Sequence, residues 1–228
     1  AHELFKLPDF INHMMENKWM GSKTKQGFYK KVDKDILSLD LNTLEYRPNK
    51  KASFQTLELT KTIDNVIDRF KVLVNGKDKA GEFYRKSFAG LFAYVSNRVP
   101  EITDDLYKID DAMKAGFGWE HGPFQIWDAI GVEKGIELIK ENGENVADWV
   151  NEMLASGNKS FYTIKEGATY YYDIDSKSQK KIPGQDAFII LNNIRDTKKV
   201  WGNSDSTLFD LGDGILNLEF HSKMNSIG

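Results

Sequence analysis

The 228-residue sequence contains no cysteine. Disulfide bonds, thiol nucleophiles and thiolate metal sites are therefore excluded, and the composition suits a reducing compartment. Long apolar runs are also missing, because the longest nearly apolar stretch, residues 88–95, is far shorter than the roughly 20 residues that span a bilayer. The first residues do not show the basic and then apolar pattern of a signal peptide. We expect a cytoplasmic protein with no membrane span.

A strong excess of one charge is absent as well. The 31 Lys and Arg residues nearly balance 34 Asp and Glu residues, and the formal net charge of −3 gives no overall attraction to nucleic acid or to an anionic membrane. The histidines His2, His13 and His221 are isolated and do not show a metal-ligand spacing such as His-Glu-x-x-His. We therefore predict no nucleic-acid partner and no bound metal.

Hydrophobic periodicity predicts how the first two thirds of the chain fold. The stretch "PDFINHMMEN", residues 8–17, has helical spacing, whereas "GFYKKVDKDILSLDLNTLEY" alternates around Asp33-Lys34-Asp35 and favours a β-hairpin. Residues 53–157 have a helical period and predict about six helices. We expect these helices to be separated at glycine and proline positions, namely Gly76, Pro100, Gly131 and Gly143.

The C-terminal third changes in character after Gly157. Aromatic and β-branched residues in "SFYTIKEGATYYYDIDSKSQKKIPG", followed by "DAFIILNNIR" and "STLFDLGDGILNLEFHS", predict a β-rich region. Asp213-Gly214 has the composition of a hairpin turn. The whole sequence therefore predicts a mainly α protein with β-hairpin segments and a β-rich C-terminal extension.

The stretch "AMKAGFGWEHGPFQIWDAIG", residues 112–131, invites two catalytic interpretations. Gly116-Phe117-Gly118 follows a predicted helix that begins near residues 103–105, whereas a phosphate cradle needs a strand before it and a helix N-terminus after it. Glu120-His121 offers an acid and a base, but adjacent side chains usually diverge. A helix corner is favoured, with Gly116 as a left-handed C-cap and a new helix starting at Gly122-Pro123.

The segment "GSKTKQGFYK", residues 21–30, is the other candidate site. Lys23, Lys25 and Lys30 lie in a loop bounded by glycines, next to hydroxyl groups and backbone amides, and could hold a phosphate. The competing interpretation is a solvated basic turn that closes a helix. Both interpretations stay open at this point.

Two stretches carry a resemblance to a known family. "NKWMGSKTKQGFYKK", followed about 80 residues later by "DDAMKAGFGWEHGPFQIWDAIG", resembles the C-terminal helical region of 3-hydroxyacyl-CoA dehydrogenases. That family shows, in order, an Asn-Arg pair, an Asp-x-Ala-Met helix and a Gly-Pro-Phe corner, and Asn97-Arg98, residues 110–113 and residues 122–124 reproduce this order. The tail "LFDLGDGILNLEFHSKMNSIG" resembles the first hairpin of a crotonase-type enoyl-CoA hydratase domain.

The resemblance implies a fold and a division of the chain. The fold would be a 6-phosphogluconate-dehydrogenase-C-terminal-like helical domain within a bifunctional fusion of dehydrogenase and hydratase. The implied parts are the end of a first helical copy (1–31), a β-hairpin strap (32–51), a second helical copy (52–157), a β-rich linker (158–205) and the first crotonase hairpin (206–228).

The resemblance also implies a function. The parent enzyme would oxidise 3-hydroxyacyl-CoA to 3-ketoacyl-CoA with NAD in fatty-acid β-oxidation, and this fragment would supply scaffold, part of the acyl-CoA cleft wall or a dimer interface. The family's dinucleotide-binding and catalytic residues have no equivalent here, so we expect the fragment alone to be inactive. Asn97 is a candidate catalytic residue, and Lys23 and Lys25 are candidate contacts to the CoA phosphates. The alternative functions are a helical dimerisation module and an independent enzyme using Glu120 and His121.

Overall fold

The computed structural model describes residues 6–225, and the chain divides into two compact units, Ala1–Ser53 and Phe54–Gly228. Among the sequence predictions, the one on His2 lies outside the described residues, as do the last three residues of the predicted crotonase hairpin. No helix of the part described has the length and apolar composition needed to cross a membrane.

The first unit combines one helix with a small antiparallel sheet. Helix α1 (Asp9–Glu16) buries Met14 and confirms the predicted amphipathic helix. Strands β1 (Tyr29–Val32), β2 (Asp35–Leu39) and β3 (Tyr46–Pro48) follow in sequential order. Val32 pairs with Asp35 across a tight turn in which Asp33 has a positive φ of 52°, so the predicted β-hairpin is confirmed.

Residues 53–157, all of which the structure describes, form seven helices where about six were predicted. The helices are α2 (Gln55–Thr60), α3 (Val66–Asn75), α4 (Lys79–Ile102), α5 (Leu106–Phe117), α6 (Pro123–Ile130), α7 (Val132–Glu141) and α8 (Asp148–Ala155). Their apolar faces meet in one core whose largest fully buried helical side chains include Phe92, Leu106, Phe124 and Trp127.

Pro100 was predicted to separate two helices, and this prediction is wrong. Helix α4 continues through Pro100 to Ile102. Proline has no N–H to donate to the carbonyl oxygen four residues earlier, which here belongs to Ser96. That buried carbonyl instead accepts a 2.9 Å hydrogen bond from the indole Nε1 of Trp149 on α8. A long-range side-chain donor therefore replaces the missing backbone donor, which the local sequence does not indicate.

The end of α5 also differs from the prediction. Gly116 lies inside the helix, and the left-handed C-cap is Gly118, with φ 66° and ψ 26°. The Gly118 N–H donates to the carbonyl of Lys114, which closes the last turn. The predicted start of the next helix at Gly122-Pro123 is confirmed, because Gly122 is the N-cap of α6.

The C-terminal region contains two further antiparallel sheets. One consists of β4 (Tyr162–Lys165), β5 (Ala168–Asp173) and β6 (Ser178–Lys181), and the other of β7 (Lys199–Gly202), β8 (Ser206–Gly212) and β9 (Ile215–Phe220). The turn at Asp213-Gly214 has φ of 52° and 76°, as a type I′ hairpin requires, so this predicted turn is confirmed.

The segment "DAFIILNNIR" was predicted as β structure, but helix α9 (Leu191–Lys198) begins within it. Side-chain contacts explain this helix. Asn193 donates to the carbonyl of Gly167 at 3.1 Å, and Arg195 forms a two-pronged ion pair with Glu219 at 2.7 and 2.8 Å. The observed architecture is mainly α with three small antiparallel sheets in the described chain, which confirms the coarser fold prediction.

Candidate functional sites

The loop "GSKTKQG" is held by its own motif residues. Gly21 has φ 91° and ψ −144°, a conformation that only glycine adopts readily. The hydroxyl of Thr24 accepts from the Met20 N–H at 2.9 Å and donates to the carbonyl of Gln26 at 3.0 Å. A Cβ at Gly27 would lie 2.8 Å from the Cα of Gly21, so both glycines are required for the loop to close. The motif therefore fixes a backbone shape.

The side chains of Lys23 and Lys25 do not stabilise the conformation of this loop. Lys23 lies in the 3₁₀ turn Ser22–Thr24, and Lys25 follows in a left-handed conformation with φ 63°. Both side chains are exposed, and neither forms an ion pair with another residue in the range 6–225. Their charges are thus available to a ligand.

Lys25 lines a cleft of about 760 Å³ that we call the basic cleft. Its walls also contain Lys31 and the aromatic side chains of Phe28 and Tyr29, which are 47% and 62% exposed. The remaining lining residues are Gly21, Ser22, Asp33 and Ile36. Exposed rings beside two ammonium groups provide the chemistry that a phosphorylated aromatic ligand needs, namely a stacking surface and cations. Lys23 does not line this cleft.

Asn97 lies on the exposed side of α4. Its Nδ2 donates to the carbonyl of Ala93 at 2.8 Å and to the carbonyl of Asn145 at 3.0 Å, so the amide joins α4 to the segment before α8. These contacts describe a linking role in the second unit. The assignment of Asn97 as a catalytic candidate stays a prediction.

Asp110 forms the helix corner that the sequence predicted. This carboxylate is 1% exposed, and its two oxygens accept from the backbone N–H groups of Phe124 at 2.9 Å and Gln125 at 3.0 Å. Since the N-cap of α6 is a glycine, Asp110 supplies the capping oxygens from another helix. This explains why an acid in α5 and the Gly-Pro-Phe corner occur in one motif.

Asp128 and Tyr162 extend this corner toward the sheet. The carboxylate of Asp128 on α6 accepts from the N–H groups of Phe161 and Tyr162, both at 2.8 Å. The hydroxyl of Tyr162 donates to Asp110 at 3.0 Å. We call Asp110, which is buried, together with Asp128 and Tyr162, which are half-buried, the buried corner. Neither Asp128 nor Tyr162 was a candidate from the sequence, because their partners lie more than 30 residues away in the chain.

Burial raises the pKa of both carboxyl groups of the buried corner. Burial raises the pKa of Asp110 to about 6, although the hydrogen bonds from three donors act to lower this pKa. Burial raises the pKa of Asp128 to about 7, and the nearby Asp110 charge raises it further. Burial and the Asp110 charge also raise the pKa of the Tyr162 hydroxyl. The folded protein therefore retains protons that the unfolded chain releases.

We expect the free energy of unfolding to fall, by on the order of 2 kcal/mol, as the pH rises from 5 to 7. The carboxyls of the unfolded chain ionise near pH 4, whereas Asp110 and Asp128 in the folded state ionise near 6 and 7, so the folded state binds more protons in this window. Carboxyls with a lowered pKa, such as Asp78, are fully ionised by pH 5 and do not contribute to this slope. Urea unfolding at several pH values measures it.

The Asp128→Asn variant is the control for this prediction. Its absolute stability falls, because an amide presents a donor to one of the two N–H groups that Asp128 accepts. Its slope between pH 5 and 7 should nevertheless be shallower than that of the unaltered protein. An equal slope in the two proteins would show that Asp128 does not titrate in this range.

Glu120 and His121 lie at the surface after α5. The Nε2 of His121 is 3.7 Å from an Oε1 of Glu120, whose side chain is 68% exposed. Gly116-Phe117-Gly118 lies at the C-terminal end of a helix, where carbonyl groups rather than amides are free. This end does not have the donors of a phosphate cradle. Within residues 6–225 no three His, Asp or Glu side chains cluster closely enough to hold a metal ion.

Comparison with known proteins indicates enzymes of fatty-acid oxidation. The chain is 40% identical over 227 residues to the "Probable 3-hydroxyacyl-CoA dehydrogenase" of Bacillus subtilis (strain 168), which covers 99% of this chain and 28% of the relative. The resemblance to a 3-hydroxyacyl-CoA dehydrogenase that the motifs indicated is thereby confirmed. No family model and no solved structure matches.

Two further relatives have names that include several activities. The chain is 26% identical over 198 residues, 83% of its length, to the "Putative fatty acid oxidation complex trifunctional enzyme" of Rickettsia felis. It is also 26% identical over 200 residues, 84% of its length, to the protein of the same name in Rickettsia prowazekii. The matched regions are 25% and 24% of those relatives, so this chain spans only about a quarter of each.

Proposed function

We propose that this chain is part of an NAD-dependent 3-hydroxyacyl-CoA dehydrogenase of fatty-acid β-oxidation, which oxidises 3-hydroxyacyl-CoA to 3-ketoacyl-CoA in the cytoplasm. The observation that carries the proposal is the 40% identity over 99% of the chain to a relative of that name. In this enzyme the chain supplies helical scaffold and part of the acyl-CoA cleft wall or a dimer interface.

The proposed division of the chain follows the resemblance. Residues 1–31 end a first helical copy, 32–51 form a strap, 52–157 form a second copy, 158–205 form a linker, and 206–228 begin a crotonase-type hydratase domain. Exposed apolar side chains on one face of the last sheet support a further domain there, among them Trp201 at 52%, Leu216 at 56% and Leu218 at 49% exposed. The remaining part of a larger enzyme would cover this face.

NAD does not fit the part of the chain that is described. A dinucleotide site is built on parallel strands joined through helices, with a Gly-rich turn at a helix N-terminus. All strand pairs in residues 6–225 are antiparallel. We therefore place NAD and the hydride transfer on the rest of the parent enzyme, and this chain alone has no dehydrogenase turnover.

The nucleotide part of CoA fits the basic cleft better. CoA carries an adenine ring and several phosphate groups, and the cleft places Phe28 and Tyr29 beside Lys25 and Lys31. The residues up to position 53 contain ten Lys and Arg against seven Asp and Glu, although the whole chain has a net charge of −3. This local positive charge favours a phosphorylated ligand. Lys23 would contact the phosphates from outside the cleft wall.

Calorimetric titration with acetoacetyl-CoA tests this part of the proposal. We expect Lys25→Asn and Lys31→Gln each to weaken binding about tenfold, equivalent to roughly 1.4 kcal/mol, and Lys23→Ala to weaken it less. Asparagine is chosen at position 25 because it tolerates the left-handed backbone there. Lys34→Gln is the matched control, since Lys34 lies in the hairpin turn and outside the cleft lining.

Two further measurements identify which part of the ligand binds. Adenosine 3′,5′-bisphosphate should compete with acetoacetyl-CoA, and raising the salt concentration should weaken both because phosphate contacts are screened. Binding that is lost equally in Lys34→Gln would indicate a diffuse charge effect. An absence of binding would move the CoA contact to another part of the parent enzyme without affecting the dehydrogenase assignment.

A second candidate function is a helical interaction or dimerisation module without a catalytic role. Large apolar side chains on the helices support it, since Phe83 is 64% exposed and Phe117 is 75% exposed. Sedimentation velocity over a wide range of concentrations tests it. A monomer at the highest concentration would contradict self-association.

A further inference from the structure

A cleft of about 480 Å³ lies between α2, α3 and the turn that joins α3 to α4. We call it the α2–α3 cleft. Its volume lies within the range of roughly 300–1,000 Å³ that is typical of ligand sites. Its lining combines apolar side chains, amides and ammonium groups: Leu59, Val72, Gln55, Asn75, Lys71 and Lys77. A ligand that fits this lining has an apolar part, hydrogen-bonding groups and a negative charge.

The walls of the α2–α3 cleft are fixed by contacts behind them. The N–H and the hydroxyl of Thr56 on α2 donate to the two carboxylate oxygens of Asp78 at 3.0 and 2.8 Å, and Thr56 is 4% exposed. The bonds from the N–H groups of Thr56 and Gly81 lower the pKa of Asp78, so this carboxylate is ionised and already engaged. A Cβ at Gly76 would lie 2.2 Å from the hydroxyl oxygen of Thr56, so α2 packs directly against the turn. The cleft is therefore preformed.

Two lysines give the α2–α3 cleft a positive charge. Lys77 has no ion-pair partner in the described part of the chain, and Lys71 pairs with Asp68 at 3.1 Å, where both side chains are more than half exposed. An exposed pair of this kind is weak, and an ammonium group has three N–H donors, so both lysines can bind an anion. The carbonyl groups at the end of α3 would repel an anion, but Arg85 donates to the carbonyl of Val74 at 3.0 Å and offsets their charge.

The two amides provide groups of the kind that bind a peptide backbone. The side-chain amide of Gln55 forms no hydrogen bond with the residues that the structure describes, so it can both donate and accept. The Nδ2 of Asn75 donates to the carbonyl of Lys71 at 2.8 Å, which leaves its Oδ1 to accept. An alkyl chain would cover these groups without bonding to them, which costs free energy. An extended peptide instead offers an N–H and a C=O at each residue.

We propose that the α2–α3 cleft binds the carboxyl-terminal residues of a partner polypeptide that ends in an apolar residue. The terminal carboxylate meets the two lysines, the peptide groups meet the two amides, and the last side chain packs on Leu59 and Val72. Leu59 is 57% exposed and forms an open apolar wall. A folded domain would need about 800 Å² on each side of an interface, which is more than this cleft offers. The inference does not depend on the proposed dehydrogenase function.

Fluorescence anisotropy of a labelled tetrapeptide, measured with the full chain, tests the proposal. The peptide ends in leucine with a free carboxylate and carries its label at the amino terminus. We expect saturable binding to one site per chain, about tenfold tighter than that of the same peptide with an amidated carboxyl terminus, because amidation removes the charge. Equal binding of the two peptides, or binding of neither, would overturn the proposal.

Two variants with matched controls locate the site. Lys77→Gln should weaken peptide binding severalfold, whereas Lys79→Gln, two residues further on and outside the lining, should leave it unchanged. Leu59→Glu should weaken binding because it places a carboxylate on the apolar wall, whereas Thr62→Glu adds the same charge outside the cleft. All four positions are exposed, so all four variants should fold. Equal losses in the variants and their controls would indicate a diffuse charge effect and overturn the proposal.

Competition separates a polypeptide from a small metabolite with similar groups. The 4-methylpentanoate ion has the branched side chain and the carboxylate but no peptide group, so it should displace the tetrapeptide only weakly. Displacement as effective as that by the unlabelled tetrapeptide would overturn the assignment to a polypeptide. Lys25→Asn, chosen to weaken acetoacetyl-CoA binding, should leave peptide binding unchanged because Lys25 does not line the α2–α3 cleft.

Discussion

Replacement of Asp110 by alanine should lower the free energy of unfolding by about 3 kcal/mol or more, a large part of the roughly 5–15 kcal/mol that stabilises a domain. The variant leaves three donors without their acceptor, namely the N–H groups of Phe124 and Gln125 and the hydroxyl of Tyr162. All three donors lie beside a carboxylate that is 1% exposed, so water does not readily take the place of this carboxylate as their acceptor. The first turn of α6 should lose its cap. The start of β4 should lose its contact with α5.

Denaturant unfolding followed by circular dichroism measures this effect. Asp111→Ala is the matched control, because Asp111 is the next residue of the same helix, is 58% exposed and pairs with Lys114 at 2.8 Å. That variant should change the stability by less than about 1 kcal/mol. Tyr162→Phe should have an intermediate effect, since it removes one donor. Similar losses at positions 110 and 111 would show that the buried corner does not stabilise the fold.

Gly122→Ala should be the second most disruptive substitution, with a loss of about 3 kcal/mol. Gly122 has an ordinary φ of −78°, so the backbone itself accepts alanine. The obstacle is space, because an added Cβ would lie 2.3 Å from the Cβ and 2.4 Å from the Cα of Asp110. The Cα belongs to helix backbone and cannot rotate away. Helices α5 and α6 would have to separate, which would also lengthen the Asp110 hydrogen bonds.

Gly116→Ala provides the contrast within the same motif. Gly116 lies inside α5, and no atom lies within 4 Å of a Cβ added there. Alanine at an exposed helix position should therefore raise the stability by about 0.5–1 kcal/mol. Thermal unfolding of both variants, with far-UV spectra to confirm helix content, checks the pair. A neutral Gly122→Ala would mean that the two helices can move apart without cost.

Local sequence signals predicted the elements that depend on local physics. The helix of residues 8–17, the hairpin around Asp33 and the turn at Asp213-Gly214 follow from apolar spacing and from residues that accept a positive φ. Two of the errors have a common cause. Pro100 is tolerated because of Trp149, and α9 is held by contacts of Asn193 with Thr169 in β5 and of Arg195 with Glu219 in β9. Such contacts are not visible in a short window of sequence.

The candidate sites show the same limit. The sequence singled out the loop of Lys23 and Lys25 and the corner at Gly122, because both have unusual glycine spacing. It did not indicate Asp128 or Tyr162, whose importance depends on burial and on partners in another element. It also did not indicate the cleft of about 390 Å³ between α4 and α5, since Ile102 and Ile109 have ordinary helical spacing and only the helix crossing shows that they line an open groove.

The attachment of Phe161 decides where this protein could be shortened. Phe161 is fully buried, its ring lies 5.0 Å from those of Phe124 and Trp127, and its N–H is bound by Asp128. An expression fragment that ends after α8, near residue 157, would lack Phe161. It would leave a cavity where this ring packs and would leave the Asp128 carboxylate without its two N–H donors. A minimal recombinant version must therefore extend through the β4–β6 sheet. Protease cleavage between α8 and β4 should expose the core of helices α2 to α8 rather than release these helices as an intact unit.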